Sequence, residues 1–301
     1  MGGVPTPLEP APATLADGRE LWLKREDGHE LGAFKWRGAL PVIESLAAAD
    51  HRTVVTASTG NHGAAVAWAA GRCDVKAIVF APADASTTKL ALLESLSATI
   101  RLVDGDLDFA KEEARRLALR ERLPFFEDGA EPLQYEGYAQ IAIELLAQLP
   151  QPAAVVIPVG NGALAGGVGS ILGTRSPSTD RVAVVAKAMP VMADSFEQGR
   201  PVKGAGATIA DGLAVRVAIP LAVASLTTAV DRFIRVSERA IAAALVRCAD
   251  AGLIVEPAAG AAFAALQTLD AEGPLVIVVT GRNVDDALLE RARDEPQSFR
   301  D

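Results

Sequence analysis

Short stretches of the chain are rich in β-branched and other apolar residues and read as strands: ELWLKRE, RTVVTAS, DVKAIVFAP, TIRLVD, AAVVIPVG, RVAVVAKA and PLVIVVTG. Between them, GALPVIESLAAA, GAAVAWAAG, TTKLALLESLS, LDFAKEEARRLALRER, GYAQIAIELLAQL and AIAAALVRCADAG place apolar residues at helical spacing. Several of the strands are continuous apolar runs rather than alternating ones, as expected of strands buried on both faces. Strands and helices in alternation therefore predict an α/β protein whose mainly parallel sheet is covered on both sides. No internal repeat, low-complexity segment or long linker breaks the pattern. The Ala-rich segments read as close-packing helices.

Composition narrows the classes of partner. With 301 residues, 50% of them hydrophobic, the chain is long enough for one large or two ordinary domains. A net charge of -9 argues against a nucleic-acid partner, which calls for a basic face. Cys73 and Cys248 fit neither a metal spacing nor a disulfide framework and read as buried thiols of a cytosolic protein. The start, MGGVPTPLEPAPATLADG, lacks the basic end and apolar core of a signal peptide. No apolar run reaches transmembrane length, and the polar ending DEPQSFRD is expected to fray. The expected setting is cytoplasmic, without membrane association.

Candidate chemistry lies in four places. The loops ASTGNHG (57–63), PVGNGALAGG (158–167) and TGRNVDD (280–286) each follow a strand and lead towards a helix. Ligands of open α/β sheets gather outside the carboxyl ends of strands, and a helix N-terminus there favours an anion. Singly, such a loop is more often just a tight turn. The fourth place is ELGAFKWRGAL (30–40), in which Lys35 stands among apolar neighbours. Such a lysine either snorkels along the surface or is a desolvated amine kept for chemistry.

Taken in order, these motifs resemble the fold-type II pyridoxal-phosphate enzymes, in the branch of serine/threonine dehydratases and serine racemases. The likeness runs from TPLEP near residue 6 to TGRNVDD near residue 286. It implies a two-domain, tryptophan-synthase-β-like fold of three-layer α/β/α domains. Residues 1–44 plus 136–301 would form the large cofactor-binding domain, and 45–135 a small mobile domain inserted in it, with the cofactor in the cleft. A homodimer is usual in the family.

The segment KREDGHELGAFKWRGA is similar to the family's Schiff-base segment, which makes Lys35 the amine bonded to pyridoxal 5'-phosphate and puts Phe34 near the ring. The same amine, once displaced by an amino-acid substrate, can take its Cα proton. STGNHG resembles the substrate loop: Ser58, Thr59, Gly60, Asn61 and His62 would bind the carboxylate, with Asn61 also on the cofactor's phenolic oxygen. A helix N-cap is the plainer reading of the same residues, and both hold together. PVGNGALAGG resembles the phosphate loop, with Gly160, Asn161, Gly162, Ala163 and Leu164 around the phosphate. Asn161 and Ala163 replace family glycines, and the Gly-Asn pair is closer to threonine synthases. Asn tolerates left-handed backbone, so a phosphate nest survives. In VTGRNVDD, Thr280 takes the position facing the pyridine nitrogen, where the branch more often has serine or cysteine. A hydroxyl there suits an unprotonated ring, a weaker electron sink that favours elimination over transamination. Arg282 stands where the family has glycine.

Weaker matches complete the set. TIADGLAV (208–215) resembles a large-domain pattern. Glu256, in LIVEPAAGAAFAAL, is either near the pyridine edge or a carboxylate at a helix N-terminus. Glu136, in YEGYAQIAIE, is either close to substrate or a solvated helix-start carboxylate. Some relatives carry a divalent cation on a glutamate before the ADG motif; Lys187 stands near that position, so no metal is expected. Thr59 falls where racemases place a second base, and its β-branching restricts it. No room is left for a C-terminal regulatory domain, so isoleucine feedback is not expected. The resemblance implies an ammonia-lyase (dehydratase) converting L-threonine or L-serine to a 2-oxo acid, with Lys35, Thr59 and Glu136 as catalytic candidates. Its alternatives are an amino-acid racemase, a threonine-synthase-like or β-replacement enzyme, and a non-catalytic cofactor binder. Trp36 favours the dehydratase side, because synthases usually place aspartate directly after the lysine.

Overall fold

A computed structural model describes residues 4–301. From the N-terminus run β1 (Leu8–Pro10), α1 (Ala13–Ala16), β2 (Leu21–Arg25), α2 (Trp36–Ala48), β3 (Thr53–Ala57), α3 (Asn61–Arg72), β4 (Lys76–Pro82), α4 (Thr87–Ser95), β5 (Thr99–Val103) and α5 (Leu107–Glu121). There follow α6 (Pro132–Gln148), β6 (Ala154–Pro158), α7 (Ala163–Arg175), β7 (Asp180–Ala186), α8 (Val191–Gln198), α9 (Pro220–Ala229), β8 (Arg232–Val236), α10 (Glu238–Asp250), α11 (Pro257–Ala265), β9 (Leu275–Val279) and α12 (Asp286–Asp294). The chain forms two compact units: residues up to Phe34 with Tyr138–Asp301, and Lys35–Gly137. The expected boundary at residue 44 falls inside α2, and the second unit takes that helix whole. The return to the first unit falls inside α6, two residues beyond the expected one.

The first unit is built on a sheet in the order β1-β2-β9-β6-β7-β8, in which only β1 and β2 are antiparallel. Its centre is the pair of apolar runs LVIVV and AVVIP, where Val156 faces Ile277 and every residue is buried. Helix α11, PAAGAAFAA, is buried along its whole length, as a helix apolar on all sides must be. Helices α7 and α9 meet at backbone distance. A Cβ on Gly169 would lie 2.0 Å from the Ala229 carbonyl oxygen, so only glycine fits. From β2 the fully buried Lys24 donates to the Thr6 carbonyl (2.7 Å), Glu144 Oε2 (2.8 Å) and Gln148 Oε1 (3.1 Å), which ties the sheet to α6.

The edge strands β1 and β8 were not visible in the apolar pattern. Pro10 gives up a ladder donor in β1, which an edge tolerates. In β8, Arg232 and Arg235 break the run and pair with Asp180 and with Asp194 and Glu197. Charges of this kind protect an edge from further pairing.

The second unit has a parallel sheet in the order β3-β4-β5. Residues 124–126 extend it beside β3: Val55 N–H donates to the Pro124 carbonyl (2.9 Å) and Phe126 N–H to that of Val55 (2.8 Å). Val55, Ala57, Ile78 and Phe80 pack with Ala110, Ala114, Leu117 and Ala118 of α5. The alternate residues Val54, Thr56 and Val79, also buried, face the other way, and α3 packs on β3 and β4.

Candidate active site

In the second unit, β3 ends at Ala57 and the chain turns through Ser58, Thr59 and Gly60 into α3. The Gly60 N–H donates to Ser58 Oγ at 3.2 Å, and Asn61 opens the helix. A Cβ on Gly63 would lie 2.6 Å from the Ser58 carbonyl oxygen, so glycine lets this turn fold back on the helix. The first turn of α3 holds no acidic residue of its own, which suits a helix start that takes an anion. His62 is buried, with Nε2 3.2 Å from Thr56 Oγ1 and its ring edge-on to Phe126. Burial lowers its pKa below 6.5 against the opposing pull of Asp128, so the imidazole is neutral at neutral pH.

Lys35 lies at the start of α2, where its carbonyl accepts from Gly38 and Ala39. Its Nζ donates to Asp128 Oδ2 at 2.6 Å. Asp128 follows the 124–126 extension, so it too lies beyond a strand's carboxyl end. Gln134 Nε2 donates to Asp128 Oδ1 (2.7 Å), while Gln134 Oε1 accepts from Gly129 N–H (2.7 Å). Burial pushes the Asp128 carboxyl up, but the charge of Lys35, then in acid that of protonated His62, and the side-chain hydrogen bonds from Lys35 and Gln134 hold it well below the usual carboxylate range. Glu136 is exposed on α6. Sequence reasoning missed Asp128 altogether. Its only signal was an acidic pair, Glu127-Asp128, directly after the apolar PFF.

In the first unit, β6 runs into Gly160-Asn161-Gly162 and then α7. Gly162 has φ 95°, and Asn161 Oδ1 accepts from Ala163 N–H at 3.0 Å. A Cβ on Gly160 would lie 2.2 Å from the carbonyl oxygen of Gly212, the last residue of the TIADG stretch. Ala163 and Leu164 are buried and the first turn of α7 carries no acid. At the end of β9, Thr280 Oγ1 donates to Glu256 Oε1 at 2.7 Å, with both residues buried. Glu256 N–H bonds the Gly281 carbonyl (2.9 Å), so the pairing is set by backbone as well. Phe34 N–H donates to the Thr280 carbonyl (2.9 Å), and its ring lies 5.0 Å from that of Tyr138. Arg282, unassigned by sequence, donates to the Asp27 carbonyl (2.7 Å) and braces the turn after β2.

Each unit, taken by itself, holds groups of the kind that pyridoxal phosphate requires. In the second unit Lys35 would supply a primary amine for its aldehyde. In the first, the Gly160–Leu164 turn opening α7 would supply backbone donors and a favourable dipole for its phosphate, and the buried Thr280–Glu256 pair a polar partner for a ring nitrogen. At Gly160 the turn packs directly on the backbone of Gly212, which leaves no room there for a side chain.

The family model described as "Pyridoxal-phosphate dependent enzyme" matches residues 1–281, and the chain belongs to that family. The L-threonine ammonia-lyase of Thermotoga maritima is 33% identical over 279 residues, 91% of this chain and 70% of that protein. The processed form of threonine deaminase isoform 2 from Solanum lycopersicum superposes with a TM-score of 0.90 at 28% identity, covering 96% of this chain and 87% of the other. Maize serine racemase gives 0.87 at 26%, covering 98% and 93%. The α/β fold with mostly parallel sheets is thus that of the fold-type II pyridoxal-phosphate enzymes.

Proposed function

We propose that this protein is a pyridoxal-phosphate-dependent ammonia-lyase that eliminates water and ammonia from L-threonine or L-serine to give a 2-oxo acid. The observation that carries it is Lys35, a primary amine held on a carboxylate, in the same compact unit as the acid-free helix start of Ser58–Asn61. An amine base and an anion-binding turn are what an α-amino acid requires. Trp36 after the lysine and the likeness to an L-threonine ammonia-lyase support elimination over replacement.

The cofactor, when bound, supplies electron withdrawal from the substrate's Cα. This chain's residues do the rest. The turn Ser58–Asn61 binds and orients the substrate carboxylate, and Lys35 takes the Cα proton. Gly160–Leu164 would anchor the cofactor's phosphate, and Thr280 and Glu256 would hold its ring nitrogen. His62, neutral and buried against Thr56, shapes the loop. Glu136, exposed on α6, is kept out of the proton transfers. The expected homodimer and cytoplasmic setting are part of the same proposal. Among the described residues, no helix is long and apolar enough to cross a membrane.

An amino-acid racemase is the second reading, favoured by the Thr59 hydroxyl in the substrate turn and the likeness to maize serine racemase. Incubating the cofactor-loaded protein with L- and D-threonine and L- and D-serine separates the two. The proposal expects 2-oxo acid and ammonia from an L-substrate. Racemised substrate without oxo acid would establish the second reading, and loss of the visible cofactor band in Lys35→Ala checks the lysine.

A further inference from the structure

We infer that Asp128 is the counter-ion that makes Lys35 an effective base, with Gln134 as the residue that positions it. This rests on Lys35 being the cofactor-bearing lysine. In the step at issue, the substrate's Cα–H bond breaks and an N–H bond forms on Lys35. The C–H electron pair stays with the substrate carbon, and the amine becomes an ammonium. The Asp128 carboxylate already receives Nζ at 2.6 Å, so the charge created in that step arises against an anion. An opposite charge held in place stabilises the ammonium as it forms, which lowers the barrier to the proton transfer.

The arrangement is built for this rather than being a loose surface pair. Lys35 and Asp128 are only 16% and 28% exposed. Asp128 Oδ1 is occupied by Gln134, Gln134 is pinned by Gly129 N–H, and the Tyr135 hydroxyl donates to the Gly129 carbonyl at 2.8 Å. Both oxygens of the carboxylate are thus directed, one at the lysine and one at its own support. The titratable and charged groups that face Asp128 are Lys35 from α2 and His62 from α3, whose Nδ1 is 3.6 Å from Oδ1. Lys111 of α5 acts on His62, and the adjacent Glu127 pairs with Arg115. With His62 neutral, Lys35 is the cation that balances Asp128.

The test is Asp128→Asn in the cofactor-loaded full chain, which removes the charge and keeps an oxygen for Gln134. Two readouts are taken: the pH dependence of kcat and of the visible absorbance of the bound cofactor. The inference expects kcat to fall at least about tenfold with little change in KM. It also expects the acid limb and the absorbance midpoint to move to lower pH by about one unit. Asp128→Glu should restore part of both. A purely structural role predicts lower stability with the limb unmoved, and that result, or a limb moved to higher pH, overturns the inference. Should Asp128→Asn fail to fold, Gln134→Leu leaves the charge but frees it. A smaller shift in the same direction supports the inference and an unmoved limb defeats it. A parent protein without any visible cofactor band would instead defeat the assignment of Lys35, which keeps the two failures apart.

Discussion

Replacing Gly160 by alanine tests whether the turn before α7 holds a phosphate through its backbone. The added Cβ would lie 2.2 Å from the Gly212 carbonyl oxygen, whereas ordinary contact begins at 3.4 Å. The two segments must therefore part by about 1.2 Å, and both are backbone, so no side chain can rotate away. Overpacking on this scale costs about 1–3 kcal/mol. If the displaced turn is the one that binds phosphate, cofactor affinity drops by roughly 5- to 150-fold, at about 1.4 kcal/mol for each factor of ten. Titrating pyridoxal phosphate into the purified variant, followed by its visible absorbance, measures the loss. Gly71→Ala is the control. Gly71 lies in the last turn of α3 with no atom within 4 Å of the added Cβ, so the change should stabilise by up to about 1 kcal/mol and leave affinity alone. Parental affinity in Gly160→Ala would refute the phosphate assignment, even if its unfolding midpoint falls.

Other perturbations address the rest of the molecule. Lys24→Met leaves Glu144 without its cation and should cost about 3–5 kcal/mol in urea unfolding; a loss under about 1 kcal/mol would show that water reaches the site. Thr280→Val removes the hydroxyl donor to Glu256 and should cost about 1–3 kcal/mol while shifting the cofactor's absorbance. Thr280→Ser should restore both, and no spectral change in the valine variant argues against a role at the ring. Acidification should destabilise the fold in two stages. Burial holds His62 below 6.5, so its contribution is complete above that pH and is lost as pH falls through the lowered value. Lys35 holds Asp128 below 3.8, so its contribution is lost only in stronger acid. Urea midpoints between about pH 8 and about pH 4 should fall with acidity, and His62→Gln should flatten the first stage. A parent midpoint that is constant across that range contradicts the burial argument.

What could be read from the sequence was whatever is encoded locally. The apolar runs of β6 and β9 announce buried parallel strands because their burial on both faces leaves no polar position to confuse the pattern. STGNHG and the Gly160–Leu164 turn are legible for a similar reason, since a strand end, a glycine and a helix start are contiguous. Helix α11 lacked periodicity because it has no polar face, and β1 and β8 were hidden because an edge is made of charge and proline. Asp128 was hidden for a different reason. It lies 93 residues from Lys35, and their meeting depends on residues 124–126 adding beside β3, a long-range pairing no local pattern shows. Thr280 and Glu256 were each named separately. Their hydrogen bond is accompanied by a backbone contact between Glu256 and Gly281. A hydroxyl that gives its proton to Glu256 would accept from a ring nitrogen placed against it, which would favour a protonated ring and a stronger electron sink. The weak-sink argument drawn from Thr280 alone would then not carry over, and the preference for elimination rests instead on Trp36 and the likeness to an L-threonine ammonia-lyase.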